Sequence, residues 1–222
     1  MVSSEKRLRP HRLCVPISGC GTGLTEYLPG NAIYFKNPKY IDAIKTTVVF
    51  KDYDLIGCTA NPFPSQVRAR VSGYFFNTGS RTEGSHVNDV FAQVYVYRNS
   101  QSQDASKVLK AVFWVGICHD ADCFNTTSLG SFELGNVMLG KNADLRLEWD
   151  PVGGQFIAQL NKNPEVSISY GDLSDVDPPG LASKRLEART DVAKCTSEPR
   201  PTAFVDLWFD NVYVNQSALS HY

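Results

Sequence analysis

Long apolar runs are missing from this chain, and no stretch approaches the roughly 20 residues that a membrane-spanning helix needs. The basic opening, Met1 through Pro10, leads into no apolar segment, so no intact secretory signal is read there. An excess of charge of one sign is also absent. Lys and Arg number 22 against 23 Asp and Glu, which leaves a net charge of −1 and a pI near 6.4. That balance gives no electrostatic case for nucleic acid or for an anionic membrane. No internal repeat, low-complexity block or convincing amphipathic helix interrupts the chain.

Catalytic signatures are scarce in the same way. Only four histidines occur, His11, His86, His119 and His221, and no G-x-S-x-G elbow accompanies them. Glu148 and Asp150 share one strand face, and so do Asp206 and Asp210. The second pair lies about 13 Å apart along an extended strand, against the roughly 5–5.5 Å that a retaining glycosidase needs. Glu148 and Asp150 also read as solvated carboxylates beside a turn. No catalytic residue is assigned, and a non-catalytic module is expected.

What the chain does have is period-two alternation. Val67, Ala69, Val71, Gly73 and Phe75 alternate with Arg68, Arg70, Ser72, Tyr74 and Phe76. Val90, Ala92, Val94 and Val96 alternate with Phe91, Gln93, Tyr95 and Tyr97. Leu145, Leu147 and Trp149 form another such stripe, as do Phe156, Ala158 and Leu160, and Ala203, Val205, Leu207 and Phe209. Ser183 to Lys194 reads as a strand with Leu186, Ala188 and Thr190 on one side and Arg185, Glu187 and Arg189 on the other. Strands with one apolar and one mixed face, and no helices between them, require two antiparallel sheets packed face to face. The expected core contains Val71, Phe75, Val94, Leu147, Trp149, Phe156, Val205 and Leu207. Asp150-Pro-Val-Gly-Gly and Asn161-Lys-Asn-Pro read as hairpin turns, and Asn211 marks a bulge. The chain divides into an irregular lead-in over 1–30, one sandwich domain over 31–217 and a tail over 218–222.

Six cysteines, an even number, fit an oxidised domain outside the cytoplasm. Cys118 with Cys123, and Cys14 with Cys20, are close enough in sequence for local bridges, which would leave Cys58 with Cys195. Zinc and free thiols are the competing readings, and the spacings lack the paired C-x2-C of zinc sites. Asp172, Asp175 and Asp177 gather oxygen ligands of the kind calcium takes, although an ordinary acidic turn explains the same residues. No other cofactor is expected.

If the central strands are neighbours, one sheet face presents Arg68, Arg70, Tyr74, Phe91, Gln93, Tyr95, Tyr97, Trp114, Asp206 and Trp208. Aromatic planes cover the apolar faces of sugars while Arg, Gln and Asp bond their hydroxyls, so this mixture suits a glycan or cell-surface partner. Packing beneath the lead-in or against a partner domain would use the same residues.

The segment Leu145-Arg-Leu-Glu-Trp-Asp-Pro-Val-Gly-Gly-Gln-Phe-Ile-Ala-Gln-Leu-Asn161 resembles the strand–turn–strand unit of concanavalin A-like lectin/glucanase (laminin G-like) sandwiches. Ala203-Phe-Val-Asp-Leu-Trp-Phe-Asp-Asn-Val-Tyr-Val214 is similar to their last core strand. The stretch from about Val67 to Val214 also resembles bacterial extracytoplasmic proteins in which a C-x4-C hairpin, like Cys118–Cys123, precedes the W-D strand. The resemblance implies an all-β jelly roll of two antiparallel sheets. It leaves function open among lectins, polysaccharide hydrolases, lyases and adhesion or protein-interaction modules.

Overall fold

A computed structural model describes residues 6–7, 11–13, 25–28, 32–61, 63–102, 107–195 and 200–215. The strands, in chain order, are β1 (Lys6–Arg7), β2 (His11–Leu13), β3 (Thr25–Leu28), β4 (Ala32–Tyr34), β5 (Ala43–Ile56), β6 (Gln66–Asn77) and β7 (Asp89–Asn99). They continue as β8 (Val108–Cys118), β9 (Thr126–Met138), β10 (Asn142–Asp150), β11 (Gln155–Leu160), β12 (Val166–Ser169), β13 (Lys184–Ala193) and β14 (Thr202–Val214). One 3-10 turn spans Pro38–Tyr40, and no helix among the described residues is long and apolar enough to cross a membrane.

Among the described residues the strands form two sheets of seven. One runs β1-β14-β5-β10-β11-β12, with β2 also on β14, and the other runs β3-β13-β6-β7-β8-β9, with β4 also on β13. All pairings are antiparallel. The chain changes sheet between β2 and β3, β4 and β5, β5 and β6, β9 and β10, β12 and β13, and β13 and β14, as in a jelly roll. The two-sheet antiparallel sandwich implied by the resemblance is therefore the fold observed. Part of the expected irregular lead-in is strand instead, because β1, β2 and β3 extend the edges at β14 and β13. Segments so short show little alternation, and edge pairing is what defines them.

The core lies between the sheets and joins Val71, Phe75, Val94, Leu147, Phe156, Val205 and Leu207, all buried as their alternation requires. Trp149 is half-buried at the rim of that core, packed on Phe75 and Phe76. Strict alternation assigns Phe76 to the same face as Arg68, but a register shift between Tyr74 and Phe76 turns both Phe75 and Phe76 inward. Such a bulge inserts one residue and reverses every side chain after it. Full burial of a phenylalanine contributes about 2–3 kcal/mol, which favours the bulge over a regular strand. A second irregularity on β14 follows Asp210, where Asn211 takes φ 49°.

Two disulfides, Cys58–Cys195 and Cys118–Cys123, are formed. Cys58 follows β5 and Cys195 follows β13, so the first bridge ties together two crossings between the sheets. Ser65 reinforces that joint: its Oγ donates to the Ile56 carbonyl at 2.9 Å and accepts the Ala193 N–H at 3.2 Å. Cys14 and Cys20 lie outside the described residues.

Candidate functional site

The outer face of the β13-β6-β7-β8-β9 sheet collects most of the polar and aromatic residues singled out in the sequence. Antiparallel register sets them in rows. One row runs Arg185, Ser72, Gln93, Trp114, Ser131, and the next Glu187, Arg70, Tyr95, Val112, Glu133. A third runs Arg189, Arg68, Tyr97, Lys110, Asn136, and Tyr74 stands beside Phe91 and Gly116 at the other end. Because every second residue of each strand points this way, a single face gathers side chains far apart in sequence.

Charge is concentrated on the β13–β6 pair. Arg70 Nε is bonded to Glu187, whose carboxylate also meets Arg185 at 3.3 Å. Arg68 is bonded to Asp191, and Arg189 reaches the same carboxylate at 2.7 Å. Arg70 Nη1 donates to Gln93 Oε1 at 3.4 Å, which links the charged rows to β7. Among the described residues of this cluster, four guanidinium groups thus share two carboxylates. Burial, followed by the repulsion of Arg68, holds the Arg189 guanidinium down to about 10, and burial lowers Arg70 as well. Arg68 Nε and Ser72 Oγ, on the same face, are buried donors without a partner. The crowded cations favour an incoming anion.

An aromatic patch adjoins this cluster. Tyr74, Phe91 and Cys118 are buried together, with Trp114 and Cys123 packed against them. Trp114 lies across Gly116, where a Cβ would run into the indole and sit 2.8 Å from the Thr127 carbonyl oxygen. The glycine lets the indole lie flat along the sheet, half-buried, with the Cys118–Cys123 hairpin beside it. Tyr95 and Tyr97, both half-buried, continue the aromatic surface with ring centroids 5.5 Å apart, and the Arg68 guanidinium stands 6.0 Å from the Tyr95 ring.

Tyr74 stacks on His86 with centroids 3.6 Å apart, and His86 Nδ1 lies 3.0 Å from Asp89 Oδ2. Asp89 Oδ1 accepts hydrogen bonds from Asn77 and from the Gly180 N–H, each at 2.8 Å. Two residues separate His86 from Asp89, but only the fold shows that its ring stacks on Tyr74 at the end of the site face.

Two expected members do not belong to this face. Asp206 and Trp208 are half-buried on β14, on the outer side of the opposite sheet, where Lys51 Nζ lies 4.3 Å from the Trp208 ring centroid. Conversely, β13 contributes Arg185, Glu187, Arg189 and Asp191, whose R-x-E-x-R-x-D pattern was the signal available in the sequence. Asp172, Asp175 and Asp177 do not form a calcium cluster: among the described residues no group of three or more His, Cys, Asp or Glu could hold a metal ion. Asp175 accepts the Tyr170 hydroxyl, and Asp177 joins Asn77 through the backbone. Glu148 is ion-paired with Arg146, and Asp150 holds its turn through the Gly153 N–H.

No protein-family model matches this chain, and no curated protein matches it. Among solved structures it is similar to an alginate lyase from Alteromonas sp. 272, at 12% identity, covering 80% of this chain and 72% of that one with a TM-score of 0.41. It is similar also to the carbohydrate-binding module CBM66 from Bacillus subtilis, at 11% identity, with 95% and 94% of the two chains covered and a TM-score of 0.34. A glycoside hydrolase family 16 endo-glucanase from Bacteroides ovatus shares 11% identity, with 82% and 71% covered and a TM-score of 0.37. At such identities and TM-scores these likenesses carry no argument about ligand or reaction, which rest on the residues of the face alone.

Proposed function

We propose that the outer face of β13, β6, β7 and β8 binds an acidic glycan without cleaving it, outside the reducing cytoplasm. The observation that carries this reading is the cluster of four arginines around two carboxylates, set beside aromatic planes on one outer sheet face. Carboxylate or sulfate groups would meet the part-exposed guanidinium groups of Arg68, Arg185 and Arg189, as planar guanidinium forks favour such anions. Sugar rings would stack on Trp114 and Tyr95, while Gln93 offers hydrogen bonds to hydroxyls. The two disulfides support a location in an oxidising compartment.

A lyase reading of the same face requires a tyrosine or histidine base, and the tyrosines of the face are Tyr74, Tyr95 and Tyr97. Burial raises both Tyr74 and Tyr95 above the ordinary phenol value, which works against a phenolate. The direction favours binding over elimination.

Isothermal titration against polyuronate, sulfated and neutral oligosaccharides tests the proposal. The acidic ligands should bind, more weakly as salt rises. Arg68→Ala should weaken binding about 10-fold or more, as loss of a charge-assisted hydrogen bond does, and Trp114→Ala by about 2–10-fold. Equal binding of neutral and acidic ligands, no binding of either, or an unsaturated product absorbing in the ultraviolet would overturn it.

A further inference from the structure

The Cys118–Cys123 bridge is built into the aromatic end of the site face. Cys118 is buried with Tyr74 and Phe91, and Cys123 packs against the same patch alongside Trp114. The Cys118 carbonyl accepts the Asn88 N–H at 2.8 Å. The Ala121 carbonyl, inside the loop that the bridge closes, accepts the His86 N–H at 3.1 Å. His86 in turn stacks on Tyr74, with its ring held by Asp89. Direct contacts therefore run from the bridged loop through His86 to Tyr74, and such a packed chain can carry a change at one end to the other.

The bridge also holds a costly backbone conformation. Cys123 takes φ 58°, a left-handed geometry that a residue with a side chain keeps only where its surroundings impose it. Asp120 accepts the Phe124 and Asn125 N–H groups at 2.8 and 2.7 Å and shapes the turn beyond Cys123. The bridge is what draws Cys123 itself onto Cys118 at the end of β8. The two disulfides differ in access. Cys58 and Cys195 are 9% and 2% exposed and Cys118 is fully buried, whereas Cys123 is half-buried. Thiol–disulfide exchange needs an attacking thiolate to reach one of the sulfurs, so an external dithiol enters at Cys123.

We propose that Cys118–Cys123 is a redox clasp on the site. Closed, it holds Tyr74 and Trp114 in place for a ligand, and opened by a dithiol it lets that end of the face loosen and the acidic glycan bind more weakly. This regulation rests on the acidic-glycan reading and confines full affinity to an oxidising compartment. In the opening step a thiolate of the dithiol bonds to Cys123 Sγ, and the bond to Cys118 breaks. Cys118 leaves with the electron pair and takes a proton. The second thiol of the reductant then displaces Cys123 as a thiol, so the protein gains two electrons and two protons while the dithiol becomes a disulfide.

Graded dithiothreitol applied to the native full chain, followed by alkylation and peptide mass mapping, tests the order of opening. Cys118 and Cys123 should label before Cys58 and Cys195. Hydrogen exchange at the His86 and Asn88 amides should then quicken. Titration should show an acidic oligosaccharide bound about 2–10-fold more weakly, the loss expected for Trp114→Ala. Reoxidation should restore both. The double variant Cys118→Ser, Cys123→Ser should carry the weaker affinity without dithiol and respond to it no further, which separates this bridge from the other cysteines. Prior opening of Cys58–Cys195, or full affinity in the double variant, would overturn the clasp and leave the acidic-glycan reading standing. Failure of both the oxidised and the reduced protein to bind would remove that reading and the regulation with it.

Discussion

Lys184 opens β13 with a side chain that is 2% exposed, and it forms no ion pair among the described residues. Its Nζ donates to the Pro38 carbonyl at 2.8 Å and the Tyr74 carbonyl at 3.2 Å, and lies 4.4 Å from the Phe75 ring centroid. Burial lowers its pKa from 10.5 to about 8, with only the field of Asp42 opposing the change. A lowered value means that between about pH 8 and the unfolded value the unfolded chain holds more proton than the native one, so stability rises with pH across that window. The whole difference is worth about 3 kcal/mol, of which about 2 kcal/mol is recovered between pH 7 and pH 10. The tyrosines work the other way. Tyr74 and Tyr95 are raised and Tyr170 reaches about 12, so their contribution is lost as pH climbs beyond about 10. Urea denaturation followed by tryptophan fluorescence, at intervals from pH 7 to pH 10, isolates the lysine. The unaltered protein should gain about 2 kcal/mol relative to Lys184→Met, whose profile lacks this contribution. Parallel profiles for the two proteins would refute the account, because they would mean that the ammonium is solvated in the folded state.

The two disulfides should differ in their effect on stability. The chain-entropy account gives about 5 kcal/mol for Cys58–Cys195, which spans 137 residues, and about 2 kcal/mol for Cys118–Cys123, which spans 5. Paired Cys→Ala variants compared by denaturation check that order, and equal losses would contradict it. Gly116→Val should displace the Trp114 indole and weaken acidic-glycan binding by about 2–10-fold with the Arg68 contacts retained. Titration checks this, and unchanged affinity would show that the flat indole is not used.

The fold was legible because burial on one face imposes period two on a strand. Val67 to Phe75, Val90 to Val96 and Ala203 to Phe209 read correctly from alternation, and the packing of their apolar sides followed. Alternation failed at Phe76, where one inserted residue inverts the pattern just after Gly73, the one glycine inside the strand. Failure at β1, β2 and β3 has another cause. Strands of two to four residues are too short to show a period, and their partners on β14 and β13 lie far along the chain.

The site was legible only strand by strand. Each outward stripe could be read, but which stripes share a face depends on sheet order, which alternation does not contain. Asp206 and Trp208 alternate outward as cleanly as Arg68 and Arg70, yet β14 pairs with β5 in the opposite sheet. Arg185, Glu187 and Arg189 read as a charged strand side of no special standing until β13 was found beside β6. There the charges acquire meaning. Buried ion pairs of this kind add little to stability compared with apolar side chains of similar size, since desolvation offsets most of their attraction. Arg70 and Glu187, 6% and 3% exposed, are therefore weak candidates for a purely structural role. Arginines standing where apolar residues would hold the sheet as well are what the proposed glycan-binding reading would account for.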